Sequence, residues 1–336
     1  MSSPSRPIDE AALQSLPTSK MQSELRHPLV VILGPTAVGK TSVSIELARR
    51  FDGEIVSADS RLFYRGMDIG TAKPTSEEQQ IVPHHLIDVT DPDQPWSLAL
   101  FQKEASTTIH DIHRRKKIPF LVGGTGQYIK AVTEEWTVPP VEPDPKLRSI
   151  LENWALEVTP QGLHERLAIL DPQAAANIDY RNLRRTVRAL EVIFRTGKQF
   201  SSLRNRTKSP YEVLKVGLTR PRSELYQRID ERIDAMIDSG LVEEIRNLLE
   251  KGYDPTLPAF SAIGYREIIP HLRGEINLEE AVALIKRNTR IFVRRQANWF
   301  KENDPQIHWF TMNENTVDEV EVYLRGEIGQ LSYFYC

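Results

Sequence analysis

Gly34-Pro-Thr-Ala-Val-Gly-Lys-Thr41 has the spacing G-x-x-x-x-G-K-[ST] of a phosphate-binding loop. The apolar run Leu29-Val-Val-Ile-Leu33 before it predicts a buried parallel strand. Ser42–Arg50 after it has helical spacing, with Val43 and Leu47 on one face. Strand, glycine loop and helix are the setting this motif needs. Gly34 and Gly39 let the backbone curl so that its N–H groups face one point, and the helix N-terminus adds partial positive charge there. Gly34, Pro35, Thr36, Ala37, Val38, Gly39, Lys40 and Thr41 therefore form the expected anion site. Lys40 supplies a point charge and Thr41 a hydroxyl for Mg²⁺. The motif says that a phosphorylated molecule is held, not which one.

The chain has 336 residues, 40% hydrophobic and 26% charged, an ordinary soluble balance with room for two domains. No apolar run approaches the roughly 18 residues of a membrane span. The one cysteine, Cys336, excludes an internal disulfide and a cysteine zinc site. Residues 1–27 have neither the apolar core of a secretory signal nor the arginine bias of a transit peptide, and are expected to form a disordered tail. A net charge of −3 gives no global attraction for polyanions, so any nucleic-acid affinity must come from local basic patches.

From Leu29 to about Ala131 strand and helix patterns alternate, with further strands expected at Gly53–Ser57, His85–Asp88 and Ile118–Val122. The last runs into Gly123-Gly-Thr-Gly126 and an apolar helix, a second strand–glycine turn–helix unit. This predicts an α/β fold: a P-loop NTPase-like parallel sheet with helices on both faces. Ligands of such sheets bind at the carboxyl ends of the strands, where the phosphate loop, Asp59, Asp88 and the glycine turn all fall. The proline-rich stretch from Thr137 to Pro145 marks a boundary. Residues 137–208 read as an all-helical insertion, Val213–Leu218 as a returning strand, and the remainder to 312 as core helices. Residues 313–336 are set apart as a C-terminal segment.

Two stretches are locally basic. Residues 181–206 hold eight Arg or Lys and one acid, Glu191. Arg181, Arg184, Arg185 and Arg188 recur at helical spacing, opposite Leu183, Val187, Leu190 and Phe194. Either this stripe is a solvated face or it binds a polyanion, and the nearly uniform sign favours the latter. Lys286–Lys301 has six basic residues and no acid, and its Trp299 and Phe300 read either as core anchors, favoured for aromatics at helical spacing, or as stacking platforms. A third group, Arg220, Arg228 and Arg232, either pairs with Glu224 and Glu231 or closes over the phosphates. His84 and His85 lack a third ligand at metal spacing and read as structural.

Several blocks together resemble one family. Asp59-Ser-Arg-Leu-Phe-Tyr-Arg-Gly-Met-Asp-Ile-Gly-Thr-Ala-Lys-Pro74 is similar to the signature of the tRNA dimethylallyltransferases, also called tRNA isopentenyltransferases. So are Pro83–Asp88, Val122–Ile129, Arg184–Glu191, Ala262–Glu267 and Thr289–Trp299, in the same order. Gln127 stands where many members have Leu. The resemblance implies transfer of a dimethylallyl group from dimethylallyl diphosphate to N6 of adenine 37 in tRNA, with Mg²⁺ as cofactor. It implies Asp59 as general base, with Lys40, Thr41, Thr125 and Arg228 in the catalytic group. It carries contacts to the tRNA anticodon stem-loop onto Asp59, Ser60, Arg61, Leu62, Thr125, Arg184, Arg185 and Arg188. Further such contacts fall on Ser261, Gly264, Tyr265, Arg266, Lys286, Arg287, Arg290 and Arg294. The chain lacks the C-terminal zinc-finger spacing of eukaryotic relatives, so a bacterial-type, cytoplasmic, monomeric enzyme with no membrane partner is expected.

Two other classes share parts of this pattern. An adenylate isopentenyltransferase would act on free nucleotide and would not need the basic insertion. A small-molecule kinase would share the phosphate loop but not the Asp59–Pro74 run.

Overall fold

The computed structural model describes residues 27–136, 139, 141–203 and 209–332. The expected tail before His27, Cys336, and the basic residues Arg204, Arg206 and Lys208 lie outside them. Strand β1 (His27–Leu33) leads through the phosphate loop into helix α1 (Lys40–Arg50), and β2 (Gly53–Ser57) follows. Next come α2 (Ser76–Ile81), β3 (His84–His85), α3 (Leu98–Arg114), β4 (Ile118–Gly123) and α4 (Gly126–Thr133). Helices α5 (Pro145–Leu170), α6 (Pro172–Ala176) and α7 (Leu183–Thr196) precede β5 (Tyr211–Thr219). Then α8 (Arg222–Asp238), α9 (Leu241–Glu250), α10 (Tyr265–Leu272), α11 (Leu278–Gln296), β6 (Ile307–Thr311) and α12 (Thr316–Ser332) follow.

The six strands form one sheet in the order β3-β2-β4-β1-β5-β6, and every pair is parallel. Period-two alternation sends β1 side chains to opposite faces. Val30 and Ile32 join the cluster that includes Val43, Leu47, Phe120 and Val216. Leu29, Val31 and Leu33 join the cluster of Phe63, Phe101, Ile109 and Leu121. A sheet covered on both faces by helices is what β-α alternation produces.

Some expectations change. The strand expected at His85–Asp88 is only His84–His85. Beyond it Leu86 and Asp88 adopt left-handed backbone (φ 59° and 54°), so the chain turns away from the ladder. Asp88 then pairs with the buried Lys73, which also holds Asp68, so its carboxylate helps to hold the loop that follows Asp59. His85 binds the buried Glu54, which Arg115 also holds, a structural role as read. Strand β6 and helix α12 carry no expected counterpart, yet Phe310, Val320 and Leu324 belong to a main core cluster.

Helices α5–α7 enclose a separate cluster built from Leu151, Leu163, Leu167, Val187, Leu190 and Phe200. Asp144 caps α5 and Asp171 caps α6 through their carboxylates. Helix α5 breaks at Thr159 (φ 69°) before Pro160, because proline cannot continue the helical ladder. Phe194 is 52% exposed rather than on the packed side, and Arg181 precedes α7 and pairs with Asp179. One cation of the stripe, Arg188, is paired within its own helix. Glu191 is fully buried and binds Arg188, Arg148 and the Asp144 N–H.

Burial pushes the Glu191 carboxyl up, but its bonds to Arg148 and Arg188 outweigh that and hold it below the ordinary 4.5. Its stabilising contribution is therefore complete above about pH 4.5 and is lost as pH falls through the lower folded value. Glu191→Ala should cost roughly 2–3 kcal/mol in denaturant unfolding at neutral pH, by removing the carboxylate partner of two half-buried guanidinium groups, of which Arg188 keeps its bond to the Val141 carbonyl. An unchanged midpoint at neutral pH would show that the cluster does not depend on this carboxylate.

Candidate active site

The site begins where β1 ends. Gly34 has φ 149°, and a Cβ there would lie 2.5 Å from the Leu218 carbonyl oxygen, so the loop can leave β1 only at a glycine. Ala37 (φ 66°) and Gly39 (φ 112°) complete the curl before α1. Lys40 folds back to donate to the carbonyls of Gly34 and Pro35 at 3.0 and 2.9 Å. Thr41 is exposed at the helix start. Two arginines brace the loop from α8 and the turn before it. Arg220 donates to the Val38 carbonyl while paired with Glu224, and Arg228 donates to the Ala37 carbonyl at 3.0 Å.

Lys40 is pushed down to about 8. Burial is the main cause; the Asp59 charge opposes it and the Arg232 charge adds to it. Burial also lowers Arg232, with Asp59 opposing. Lys40, Asp59 and Arg232 thus form one electrostatic group, two cations facing one carboxylate. Of the three late arginines, Arg220 and Arg228 are engaged with loop carbonyls, and Arg232 is close enough to Asp59 to feel its charge. The sequence carried a signal for it, the four-residue spacing from Arg228.

Asp59 follows β2, and its carboxylate accepts the Arg61 N–H at 3.0 Å. Ser60 and Leu62 are half-buried beside it. The Arg61 side chain does not extend outward. It donates to the carbonyls of Pro258 and Ala259 and to Ser261 Oγ, tying the loop after Asp59 to the turn before α10. Glu244 on α9 accepts the N–H groups of Asp68, Ile69 and Gly70, fixing the rest of that loop.

Thr125 stands at the N-terminus of α4 with its side chain not used as a cap. One turn on, Tyr128 stacks on Phe101 and Phe63. Burial chiefly, with Tyr64 and Asp59, pushes Tyr128 up to about 12, so its hydroxyl keeps its proton. Nothing in composition or spacing distinguished Tyr128.

The remaining residues divide by exposure. Arg184, Arg185, Arg287 and Arg294 are exposed. Lys286 pairs with Asp234 and Arg290 with Asp230, so α11 is bound to α8 through residues expected to face a ligand. Arg266 is exposed and pairs with Glu267, and Gly264 (φ 102°) opens α10. Tyr265 is fully buried with its hydroxyl donating to Glu244, so its side chain supports the loop from within. Phe300 is a core anchor as read, whereas Trp299 is 40% exposed and lies against Gly126.

The described residues contain no group of three or more His, Cys, Asp or Glu side chains able to hold a metal. An exposed Thr41 hydroxyl does fit Mg²⁺ bound mostly by substrate oxygens and water, the usual manner for that ion.

Comparison with known proteins covers the same ground. The family described as IPP transferase matches residues 62–303, and the one described as isopentenyl transferase matches residues 27–88. The tRNA dimethylallyltransferase of Thermomicrobium roseum is 48% identical over 90% of this chain and 93% of its own. That of a Roseiflexus species is 53% identical over 82% of this chain and 90% of its own. The crystal structure of a tRNA isopentenylpyrophosphate transferase from Bacillus halodurans is 41% identical, with a TM-score of 0.70 over 92% of this chain and 99% of that one. A eukaryotic dimethylallyltransferase acting on tRNA is 29% identical, with a TM-score of 0.76 over 89% of this chain and 77% of its own. The parallel-sheet fold, the phosphate loop and these relatives lead to one conclusion: this chain belongs to the IPP transferase family, the tRNA dimethylallyltransferases.

Proposed function

We propose that this protein transfers a dimethylallyl group from dimethylallyl diphosphate to N6 of adenine 37 in tRNA and releases pyrophosphate. The observation that supports it best is the group formed by Lys40, Arg232 and Asp59 at a phosphate loop. It offers a place for a leaving anion with a carboxylate base close by. Mass analysis of nucleosides after incubation with dimethylallyl diphosphate, Mg²⁺ and unmodified tRNA tests it. Modified free AMP with untouched tRNA would favour the free-nucleotide class instead.

The adenine amine is a poor nucleophile because its lone pair is conjugated with the ring. As its nitrogen bonds to the allylic carbon, the carbon–oxygen bond to the diphosphate breaks and its electron pair leaves with pyrophosphate. Asp59 takes the proton that N6 loses. Lys40, Arg232 and the loop N–H groups stabilise the negative charge that gathers on the leaving group. Thr41 would hold Mg²⁺, which when bound supplies further positive charge at the same phosphates. A base inside a stacked loop cannot reach this site, so adenine 37 must turn out into it, beside Thr125. Arg184, Arg185, Arg287 and Arg294 remain exposed for tRNA phosphates, which accounts for tRNA binding by a chain with a net charge of −3.

Asp59→Ala should lower transfer by roughly 10²–10⁴ while leaving tRNA affinity nearly unchanged. Single-turnover rates and filter binding measure both, and a variant that keeps wild-type turnover removes Asp59 from the base role.

Lys40 at about 8 has a consequence for pyrophosphate binding. A bound anion favours the charged amine and raises its pKa, so binding near pH 8 takes up protons and affinity falls as pH rises. Lys40→Arg, always charged, should lack that component. Titration calorimetry in buffers of different ionisation heat measures the uptake; equal uptake by both proteins would overturn the assignment.

Arg184→Ala with Arg185→Ala should flatten the plot of log K against log salt for tRNA by roughly 0.7–0.9 per lost phosphate contact. Pyrophosphate affinity should hold. An unaltered slope in a folded double variant would make this stripe a solvated face.

A further inference from the structure

Gln296, the last residue of α11, is 5% exposed, and both ends of its amide are used across the site. Its Oε1 accepts the Thr36 N–H of the phosphate loop at 3.0 Å. Its Nε2 donates to the Gly124 carbonyl of the glycine turn at 3.1 Å. The partners fix the orientation of the amide, since one is a donor and the other an acceptor. Strands β1 and β4 hold the two loops together only as far as the pairing of Leu33 with Gly123. Beyond that point, among the described residues, Gln296 bridges them. The gap it fills is tight: a Cβ on Gly124 would lie 2.4 Å from Gln296 Nε2 and 3.3 Å from the Gly34 carbonyl oxygen.

We propose that Gln296 is a positioning residue that sets the distance between the phosphate loop and the glycine turn that carries Thr125. This rests on the reading above, in which one loop holds the diphosphate and the other borders the target adenine. Gln296 spends its amide on the two backbones, so it acts through the loops and not on either substrate. Its loss orphans a loop N–H and a buried carbonyl, and both loops can then drift. Drift of about 1 Å between reacting partners can cost on the order of 10²-fold in rate without weakening the binding of either one.

The test uses the full chain with Gln296→Met, which keeps length and loses both bonds, and Gln296→Asn, which is too short to serve both loops. With both substrates saturating, single-turnover transfer should fall by about 10- to 100-fold, while tRNA and pyrophosphate dissociation constants stay within about threefold. A rate near wild type, or a loss explained by weaker binding of either substrate, overturns the proposal. Gly124→Ala approaches the same bridge from the other side by displacing the amide. Its cost should shrink in a Gln296→Ala background, where the added methyl meets no amide and only the 3.3 Å approach to the Gly34 carbonyl oxygen remains; fully additive losses would show that Gly124 and Gln296 act separately. Circular dichroism melts identify variants that fail to fold, and Gly124→Ala alone, which displaces the amide without removing it, then carries the test through the same split between rate and binding. A wild-type protein that makes no modified adenosine would overturn the proposed function instead.

Discussion

Strand β1 is buried along Leu29–Leu33 and lies between β4 and β5, and the arrangement of the site follows from that pairing. Parallel ladders bring equivalent ends of strands to one edge. Leu33 is in register with Gly123 on one side and Gly217 on the other. The phosphate loop and the glycine turn therefore leave the sheet side by side, and the chain after β5 passes the same edge. Side chains alternate between two apolar layers, so a slip of one residue would move every β1 side chain to the wrong face. The register is held by the core, and the site inherits its geometry from the register.

At this edge the protein holds charges that burial disfavours. Lys40 and Arg232 are both depressed by burial, and Asp59 offsets part of that cost. Ionisable groups perturbed by burial and a specific charge partner cluster at functional sites. The loop after Asp59 is held by charges of its own. Lys73 binds Asp68 and Asp88, Glu244 collects three backbone N–H groups, and Arg61 reaches the turn before α10. The signature run from Asp59 to Pro74 thus has a mechanical content. Most of its polar residues hold the loop that presents Asp59.

The basic patches divide in the same way. Arg188 neutralises a buried carboxylate, while Lys286 and Arg290 bind α11 to α8. Arg184, Arg185, Arg287 and Arg294 stay exposed. Counting positive charges along a helix therefore overstates the contacts available to RNA, because part of the charge is internal to the fold.

The phosphate loop, the β-α alternation, the helical stretch after the proline-rich break and the basic stripes were legible in the sequence, because each is a local pattern of spacing. Strand β6 was not, since its five residues show no clean alternation and it earns its place only by pairing with β5. Helix α12 lacks a strong apolar stripe, yet Val320 and Leu324 are fully buried because the sheet needs that face covered. The choice of Arg232 over Arg228 as the partner of Lys40 and Asp59 depends on how α8 is turned against the phosphate loop. The bridge through Gln296 joins residues 260 and 172 positions apart. Local spacing determined which elements form and which residue types they carry. Only the packing of distant elements decided which side chains face the site, because those contacts have no period in the sequence.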